Sequence, residues 1–475
     1  MTIATMDTVV VVMVPLPAQG HLAQLLHLSR LISARGIPVH YVGSATHNRQ
    51  AKNRLHGWDV ESISNIYFDD LPLPHFITPP PNPNAPNKFP AHLEPTLQAA
   101  IHLRQPLAGL VSTLSTAARR VIIIYDSVIA AAAQDAALIP NAEAYCFNSI
   151  SAFGTLFQRL ESPGLPTDQG IVIPTGLPKL SNEDCLTDTF VEFIHSQYQS
   201  LAFAPHGDLY NSCRPVEGTF LDMLAQKPLL GDKKQWTLGP FHPVQLNPVG
   251  VSRRPRHKCL EWLDKQPINS VIYVSFGTMT SISDEQIAEL AIGLERSGQR
   301  FIWVLREADR GDIYAEEKGG EARTIKLPDG YEERVEGSGV IVRDWAPQLE
   351  ILAHRSAGGF MSHCGWNSSL ESMSMGVPIA AWPMHSDQPR NAMLITEVLK
   401  VGIAAREWEL REELASSDAI ANAITLLMTS EEGKDIRMRA KELGVAIRHA
   451  VSEEGTSTAD LKSFIDHISR SETAS

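Results

Sequence analysis

Residues 345–388 of the chain read WAPQLEILAHRSAGGFMSHCGWNSSLESMSMGVPIAAWPMHSDQ. Within this stretch the apolar run GGFMS at 358–362 predicts a buried strand, and the segment that begins at Trp366 predicts a helix. The three residues HCG lie between the two elements. A glycine lets a ligand approach the backbone, and a helix N-terminus presents unpaired N–H groups and a positive dipole. This order of strand, turn and helix predicts an α/β domain that binds a phosphate or a nucleotide.

Polar and aromatic side chains accompany this turn in the sequence. His363, Asn367 and Ser368 supply hydrogen-bond donors at the predicted helix N-terminus, and Thr278 follows a second apolar run, VSFG. Because ligands gather beyond the carboxyl ends of parallel strands, we expect Thr278 at the same place. Trp345 offers a flat face on which a nucleotide base can stack. Such sites are common, so the residues alone indicate only a nucleotide or phosphate ligand.

The rest of the chain alternates short apolar runs with helical patterns, which is typical of parallel α/β layers. A segment rich in Pro, Gly and charge, residues 239–256, separates two such series and predicts an interdomain linker. In the second series Ser283 and Gln286 form an S-x-x-Q capping box, and Gly298 predicts the end of that helix. We therefore expect two doubly wound halves that face each other across a cleft. The predicted strands are residues 9–14, 37–43, 121–125, 271–276, 301–305, 340–343, 358–362 and 377–381.

Two further polar residues are expected at strand ends. His21 follows the first strand and the turn PLPAQG, and Asp126 follows the run VIIIY. A carboxylate that accepts from one imidazole nitrogen leaves the other nitrogen free as a base. Each residue also has a structural interpretation, His21 as a packing or capping residue of its helix and Asp126 as a helix N-cap. Position alone supports the two interpretations of Asp126 equally.

Composition excludes several classes of protein. The 475 residues include 41 Lys and Arg against 54 Asp and Glu, a net charge of −13, whereas a nucleic-acid binder needs a basic surface. The five cysteines form no CxxC pair, which argues against a zinc module and fits free thiols in a reducing compartment. No run reaches the roughly 18 apolar residues of a membrane span, and the first apolar run lacks the basic flank of a secretory signal. We therefore predict a cytoplasmic protein.

Residues 345–388 closely resemble the plant secondary-product signature, which is the donor-site segment of family 1 UDP-dependent glycosyltransferases. Other motifs are most similar to the zeatin O-glucosyltransferase branch of that family: PLPAQGHLAQLLHLSRLI, IPVHYVG, EWLDKQ, SVIYVSFGT, RFIWVLREADRGDI and FMSHCGWNS. The resemblance implies the GT-B fold, in which two Rossmann-like domains face each other across a cleft. It implies an acceptor-binding domain at 1–245, with a C-terminal helix of about 456–475 packed on it, a linker at 246–256, and a UDP-sugar-binding domain at 257–455.

The resemblance also implies an inverting O-glycosyltransferase that moves glucose, or xylose, from a UDP-sugar to a hydroxyl of a small plant metabolite. His21 would be the general base, and Asp126 would be the carboxylate that orients its imidazole. The zeatin branch implies a zeatin-type cytokinin as the acceptor. No metal ion or other cofactor is implied, which agrees with the absence of an Asp-x-Asp motif from the chain. We expect the protein to act as a monomer.

Within the signature, the resemblance implies donor-binding roles residue by residue. Trp345 would stack on uracil, Gln348 and Glu371 would hold the ribose, and Trp366 with residues 387–388 would address the sugar hydroxyls. The signature ends in Gln, which in this family is associated with glucose, whereas His at that place is associated with galactose. The implied donor-binding set is Gly20, Thr278, Trp345, Ala346, Gln348, His363, Gly365, Trp366, Asn367, Ser368, Glu371, Asp387 and Gln388.

Several alternatives remain open. Relatives with similar sequences glycosylate flavonoids, phenylpropanoids or terpenoids, and acceptor choice can depend on pocket residues worth only ~1–3 kcal/mol each. A non-catalytic protein that binds UDP-sugar would need neither His21 nor Asp126. A nicotinamide-dependent dehydrogenase would need a G-x-G-x-x-G turn, which PLPAQGH lacks. His385, where many family members carry an aromatic residue, fits a polar contact beside the sugar and an exposed loop position equally well.

Overall fold

The computed structural model describes residues 6–55, 58–59, 63–161, 180, 185–199, 205–226, 229, 231, 233–245, 256–314, 323 and 325–471. Within these residues the chain forms two parallel β-sheets, one of seven strands and one of six. The first sheet comprises β1 (Met6–Val14), β2 (Val39–Gly43), β3 (Ile66–Asp70), β4 (Ala118–Asp126), β5 (Ala142–Asn148), β6 (Gly207–Tyr210) and β7 (Lys234–Thr237). The second comprises β8 (Val271–Ser275), β9 (Arg300–Val304), β10 (Gly339–Val342), β11 (Ala357–Ser362), β12 (Ile379–Ala381) and β13 (Gly402–Ala404).

Both sheets have a doubly wound strand order. The orders are β3-β2-β1-β4-β5-β6-β7 and β10-β9-β8-β11-β12-β13. The order changes direction between β1 and β4 in the first sheet and between β8 and β11 in the second. In open parallel sheets, ligands bind beyond the carboxyl ends of the strands at such a switch point. The predicted α/β class with two Rossmann-like halves is therefore confirmed.

Helices connect the strands, and the apolar sequences of the strands explain why the strands are buried. Val11, Val12, Met13 and Val14 of β1 have no exposed surface, since a central parallel strand is covered on both faces and favours β-branched residues. The helices in the described part of the chain are Gln19–Ser33, Ala45–Asn53, Glu94–Ala100, Arg104–Ser115, Ala130–Ala133, Ala152–Leu160, Asp188–Gln199, Arg214–Leu224, Lys258–Leu263, Asp284–Arg296, Tyr331–Arg334, Gln348–Ala353, Trp366–Met375, Gln388–Met393, Ser417–Thr429, Glu431–Ala450 and Thr456–Ser469.

At the start of the helix Asp284–Arg296, tertiary packing overrides the capping box predicted from the sequence. The Ser283 hydroxyl accepts the backbone N–H of Gln286 at 3.3 Å, and Gly298 follows the helix with a φ of +63°. The Gln286 side chain, however, bonds the backbone N–H and C=O of Ala415, both at 2.9 Å. The predicted capping box is therefore only half formed, because this buried amide finds two partners on a neighbouring segment.

The helix Thr456–Ser469 packs on the first sheet, although it follows the second sheet in the chain. Phe464 is fully buried, with its ring centroid 5.4 Å from that of Tyr145 and 5.1 Å from that of Trp236. Arg120 donates to the carbonyl of Ile468 at the end of this helix, at 3.1 Å. A cation at a helix C-terminus satisfies the last carbonyls and favours the helix dipole.

Parts of the predicted boundaries lie outside the described residues. These are residues 246–255 of the predicted linker and residues 472–475 of the predicted C-terminal helix. Across the ranges that the structure does describe, no helix combines the length and the apolar character that crossing a membrane requires.

Candidate active site

A cavity of about 750 Å³ lies between the two domains. Segments that follow β1 and β4 line one side of it, and segments that follow β8, β11 and β12 line the other. Asp126 does not line the cavity, because it is fully buried behind His21. The structure brings the other predicted site residues to the cavity wall: Gly20, His21, Thr278, Trp345, Ala346, Gln348, His363, Gly365, Trp366, Asn367, Ser368, Glu371, Asp387 and Gln388.

His21 and Asp126 form a hydrogen-bonded pair at the edge of the first sheet. His21 lies in the first turn of the helix Gln19–Ser33, and Asp126 is the last residue of β4. They are 105 residues apart but meet because β1 and β4 are neighbours. The His21 Nδ1 atom lies 2.6 Å from Asp126 Oδ2, and the imidazole keeps 20% of its surface exposed. A carboxylate only accepts, so Nδ1 carries the proton and Nε2 remains available as a base.

The surroundings of His21 favour its protonated form. Burial by itself lowers the pKa of the imidazole, but the charge of Asp126 and the hydrogen bond to it raise the pKa, as does the charge of Asp387. The net pKa lies above the ordinary value of 6.5. The second oxygen of Asp126 accepts the Val128 N–H at 3.0 Å and the Ser149 hydroxyl at 3.4 Å. Asp126 is thus a helix cap and a histidine partner at once, because its carboxylate has two oxygens.

The turn after β11 is built around the imidazole of His363. A Cβ atom added to Gly277 or Gly365 would lie only 2.6 or 2.5 Å from His363 Nε2. Gly365 was expected to let a ligand approach the backbone, but in the structure it makes room for this ring. Burial lowers the pKa of His363 to about 4, so the ring is neutral at pH 7. Its Nδ1 atom is buried without a hydrogen-bond partner among the described residues, which indicates a ligand or a water.

The N-terminus of the helix Trp366–Met375 joins the two domains. The indole N–H of Trp366 donates to the carbonyl of Asn211, and the Asn367 amide donates to the carbonyl of Gly20, each at 2.8 Å. The prediction that Trp366 addresses sugar hydroxyls stays a prediction, and the structure bears on which atom could do so. Its indole N–H already has a partner in the first domain, so only its backbone N–H remains for a ligand.

Gln348, Ser368 and Glu371 form a polar cluster on the second domain. The Gln348 amide donates to the Ser368 hydroxyl at 3.0 Å and to Glu371 Oε2 at 2.7 Å. Its oxygen accepts the hydroxyl of Tyr273 at 3.4 Å. Burial raises the pKa of Glu371 to about 7, and the hydrogen bond from Gln348 opposes this rise. The cluster therefore presents a carboxylate whose pKa is raised toward neutral pH.

Trp345 contacts two arginines at one end of the cavity. The guanidinium carbons of Arg54 and Arg306 lie 4.6 and 5.8 Å from the centroid of its ring. Both arginines pair with Asp309, whose backbone N–H donates to the carbonyl of Thr278 at 2.6 Å. The pairing of Arg54 with Asp309 could not be predicted from the sequence, because the two residues are 255 positions apart and only Asp309 lies in a quoted motif, RFIWVLREADRGDI.

In the turn after β12, the side chain of Gln388 has a structural role that the sequence did not reveal. The side-chain oxygen of Gln388 accepts two backbone N–H groups of its own turn, at 2.9 and 3.1 Å. This oxygen holds the turn, and the amide nitrogen lies 3.2 Å from His385 Nε2, which leaves one of its two N–H groups for a sugar. His385 is 1% exposed and lies 2.9 Å from the Thr280 hydroxyl, so its interpretation as an exposed loop residue is wrong. Burial raises the pKa of Asp387, which accepts a hydrogen bond from Asn391 at 2.8 Å.

The first domain supplies an apolar wall of the cavity that no pattern in the sequence predicted. Of its residues only Leu16 lies in a quoted motif, and Leu97, Phe190 and Ile194 could have been identified only by their apolar positions within helices. The wall consists of Leu16, Phe89, Leu97, Val128, Phe190 and Ile194.

In the part of the chain that the structure describes, no cluster of three or more His, Cys, Asp or Glu could hold a metal ion.

The chain matches known proteins along most of its length. A family model described as "Glycosyltransferase, N-terminal domain" matches residues 7–243, and one described as "UDP-glucoronosyl and UDP-glucosyl transferase" matches residues 174–444. Zeatin O-glucosyltransferase of Phaseolus lunatus is 52% identical over 97% of each chain. Zeatin O-xylosyltransferase of Phaseolus vulgaris is 50% identical over 97% of this chain and 98% of its own.

A solved structure supports the same assignment. Phytolacca americana UGT2, complexed with UDP-2fluoro-glucose and pterostilbene, has a TM-score of 0.75 and 25% identity, covering 98% of this chain and 100% of that one. The predicted GT-B fold and the predicted resemblance to the zeatin branch are thereby confirmed. The chain belongs to the UDP-glucoronosyl and UDP-glucosyl transferase family, and it is a UDP-glycosyltransferase.

Proposed function

We propose that this UDP-glycosyltransferase moves glucose from UDP-glucose to a hydroxyl of a zeatin-type cytokinin, with inversion at the anomeric carbon. The observation that carries the catalytic part is the His21–Asp126 pair beside the cavity. An aliphatic hydroxyl is a weak nucleophile, and a positioned base typically contributes about 10²–10⁴-fold. Nε2 of His21 takes the hydroxyl proton while the oxygen attacks the anomeric carbon and UDP leaves from the opposite side. Asp126 holds the tautomer and stabilises the imidazolium.

The diphosphate of the donor is proposed to lie at the N-terminus of the helix Trp366–Met375. The free backbone N–H groups and the dipole of this helix favour the charge that develops on the leaving UDP. His363, Ser368 and Thr278 line the cavity at the same place and supply further donors. Asn367 fixes this turn against the first domain through Gly20. Leaving-group stabilisation by these groups needs no metal ion.

The nucleoside and the sugar are assigned to the flanking residues. Trp345 stacks on uracil, with Ala346 supplying backbone contacts, and the carboxylate of Glu371 accepts from the ribose hydroxyls while Gln348 orients it. Asp387 accepts from the sugar hydroxyls. These assignments rest on the family resemblance and on the position of each residue at the cavity wall.

The sugar end of the donor site is assigned to the turn after β12. The amide nitrogen of Gln388 donates to the sugar, since its oxygen is bound to the backbone. The backbone N–H of Trp366 is assigned to the same end of the donor, since its indole N–H already donates to the carbonyl of Asn211.

The proposed acceptor follows from the relatives and from the cavity. Two relatives at 52% and 50% identity are named for zeatin, one as a glucosyltransferase and the other as a xylosyltransferase. The apolar wall that includes Phe89 and Phe190 suits an acceptor with a planar ring and an isoprenoid chain. Glucose is proposed over xylose because the signature ends in Gln388. All five cysteines are buried, and we propose that the protein is a monomer in the reducing cytoplasm.

The test is a product assay by mass spectrometry. The protein is incubated with UDP-glucose or UDP-xylose and a panel of cytokinins, flavonoids, phenylpropanoids and terpenoid alcohols. We expect a hexose on zeatin with UDP-glucose; transfer only to the other compounds would remove the cytokinin assignment and keep the chemistry. UDP binding without transfer to any acceptor would instead indicate a binding protein.

A histidine outside the cavity provides a matched control for the catalytic assignment. His40 pairs with Asp69 at 2.8 Å in the same domain, and neither residue lines the cavity. We expect His21→Ala to lower the rate of transfer by about 10²–10⁴-fold and His40→Ala to retain it. Equal activity of the two variants would overturn the role of His21.

A further inference from the structure

The segment that follows β9, residues 305–314, contacts the first domain at several points. The carbonyl of Asp309 lies 2.8 Å from His92 Nε2, and the carbonyl of Gly311 lies 3.1 Å from His47 Nε2. A Cβ atom added to Gly311 would lie 1.8 Å from the hydroxyl of Thr96, so the two domains approach each other very closely here. This β9 segment therefore has a fixed position relative to the first domain.

Arg54 of the first domain reaches across this contact to the donor side of the cavity. It follows the helix Ala45–Asn53, and its guanidinium binds both oxygens of Asp309, one of them at 3.0 Å. The side chains of Arg54 and Asp309 are only 14% and 7% exposed. The guanidinium carbon lies 4.6 Å from the ring centroid of Trp345, within the range of a cation–π contact. Arg54 is thus held by a buried carboxylate while it covers an indole.

An aromatic side chain that stacks on a nucleotide base binds that base well only when its ring is already oriented. Trp345 lies on the loop between β10 and the helix Gln348–Ala353, so its ring needs a restraint from neighbouring side chains, and the guanidinium carbon of Arg54 lies nearer to it than that of Arg306. The planar guanidinium of Arg54 supplies that restraint, because arginine stacks on aromatic faces and its own position is fixed by Asp309. A ring that is oriented in advance loses less conformational entropy when the ligand binds.

We propose that Arg54 is a positioning residue of the donor site, supplied by the acceptor-binding domain, which orients Trp345 for the uracil of the donor. The inference rests on the proposed donor site and extends it to a residue outside the signature. It also makes base binding depend on the contact between the two domains, since Arg54 and Trp345 belong to different domains. Arg54 acts on the nucleoside end of the donor, so its loss affects donor binding and leaves the transfer step itself intact.

The chain offers a matched control for this proposal. Arg49 lies on the helix Ala45–Asn53 that Arg54 follows, and its guanidinium carbon is 3.9 Å from the ring centroid of Tyr314 in the same β9 segment. Arg49→Ala therefore removes a cation–π contact between the domains without touching Trp345. Arg54→Lys keeps the charge beside Asp309 but loses the planar stack. Thermal unfolding of each variant identifies those that fail to fold.

The experiment measures UDP binding by calorimetry, together with kcat and both KM values. We expect Arg54→Ala to weaken UDP binding and raise the donor KM about tenfold, with kcat and the acceptor KM within about twofold of wild type. Arg54→Lys should give an intermediate loss, and Arg49→Ala should bind UDP like wild type. In a Trp345→Ala background the loss caused by Arg54→Ala should disappear, because the two side chains act as one unit.

Three results would overturn the inference. Unchanged UDP affinity in Arg54→Ala would show that Trp345 needs no restraint, and tighter binding would show that the guanidinium competes with the base. An equal loss of UDP affinity in Arg49→Ala would show that UDP binding depends on the contact between the domains and not on the orientation of Trp345. If the wild-type protein itself fails to bind UDP, the donor site and the proposed function fail first, and this inference fails with them.

Discussion

Replacement of Asp126 by Asn tests the catalytic pair directly, because Asn keeps the shape of the carboxylate and removes its charge. In the structure one oxygen of Asp126 caps Val128 while the other lies 2.6 Å from His21 Nδ1. Asn keeps its single oxygen in the cap, so its amide nitrogen faces the imidazole. This nitrogen can only donate, so Nδ1 of His21 must lose its proton. The proton then lies on Nε2, where the free base is needed.

The size of the effect follows from the geometry. During transfer His21 becomes an imidazolium beside the Asp126 carboxylate, and unit charges about 4 Å apart interact by ~4 kcal/mol at an effective dielectric constant near 20. The imidazole is 20% exposed, so solvent reduces this interaction to roughly 3–4 kcal/mol. Each 1.36 kcal/mol corresponds to a tenfold change in rate. We therefore expect Asp126→Asn to lower kcat by roughly 10²–10³-fold.

The assay measures kcat and kcat/KM between pH 5 and 9, with UDP affinity as the control for an intact donor site. His21 must be unprotonated to act, so wild-type activity falls as the pH drops through its pKa, which lies above 6.5. Without the charge of Asp126 this pKa falls, and the inflection moves to lower pH. A variant that folds, binds UDP and retains kcat within about threefold would refute the reasoning, as would an inflection that stays in place.

Three further predictions follow from the contacts described above. Phe464→Ala should lower the stability of the first domain by about 3–5 kcal/mol, measured by denaturant unfolding, because its fully buried ring leaves a cavity; a loss below 1 kcal/mol would contradict the packing. Gly365→Ala should weaken UDP binding at least tenfold in calorimetry, since the new methyl group displaces His363; wild-type affinity would disprove that contact. Glu371→Gln should weaken UDP binding about tenfold and remove the rise of wild-type affinity as the pH increases through about 7, where the carboxylate ionises; a pH dependence that persists would assign it to another group.

Short-range features of this protein could be predicted from the sequence because they depend on neighbours in the chain. The valine run of β1, the Ser283 cap and the Gly298 helix end follow from strand propensity, side-chain hydrogen bonding and the φ that glycine tolerates. His21 and Asp126 could be placed near each other because parallel strands bring their carboxyl ends to one edge. The signature could be located because its strand, turn and helix are contiguous in the chain.

Tertiary structure decided what each polar atom is bonded to. Gln286 bonds Ala415 instead of closing its capping box, and Trp366 donates to Asn211 instead of the cavity. The partners in these contacts are separated by 129 and 155 residues, so no local pattern contains them. A buried donor or acceptor takes whichever partner the packed fold supplies, because leaving it unpaired costs about 1–3 kcal/mol. Sequence therefore determined which residues surround the cavity, and the packing of the two domains decided which of their atoms remain available to substrates.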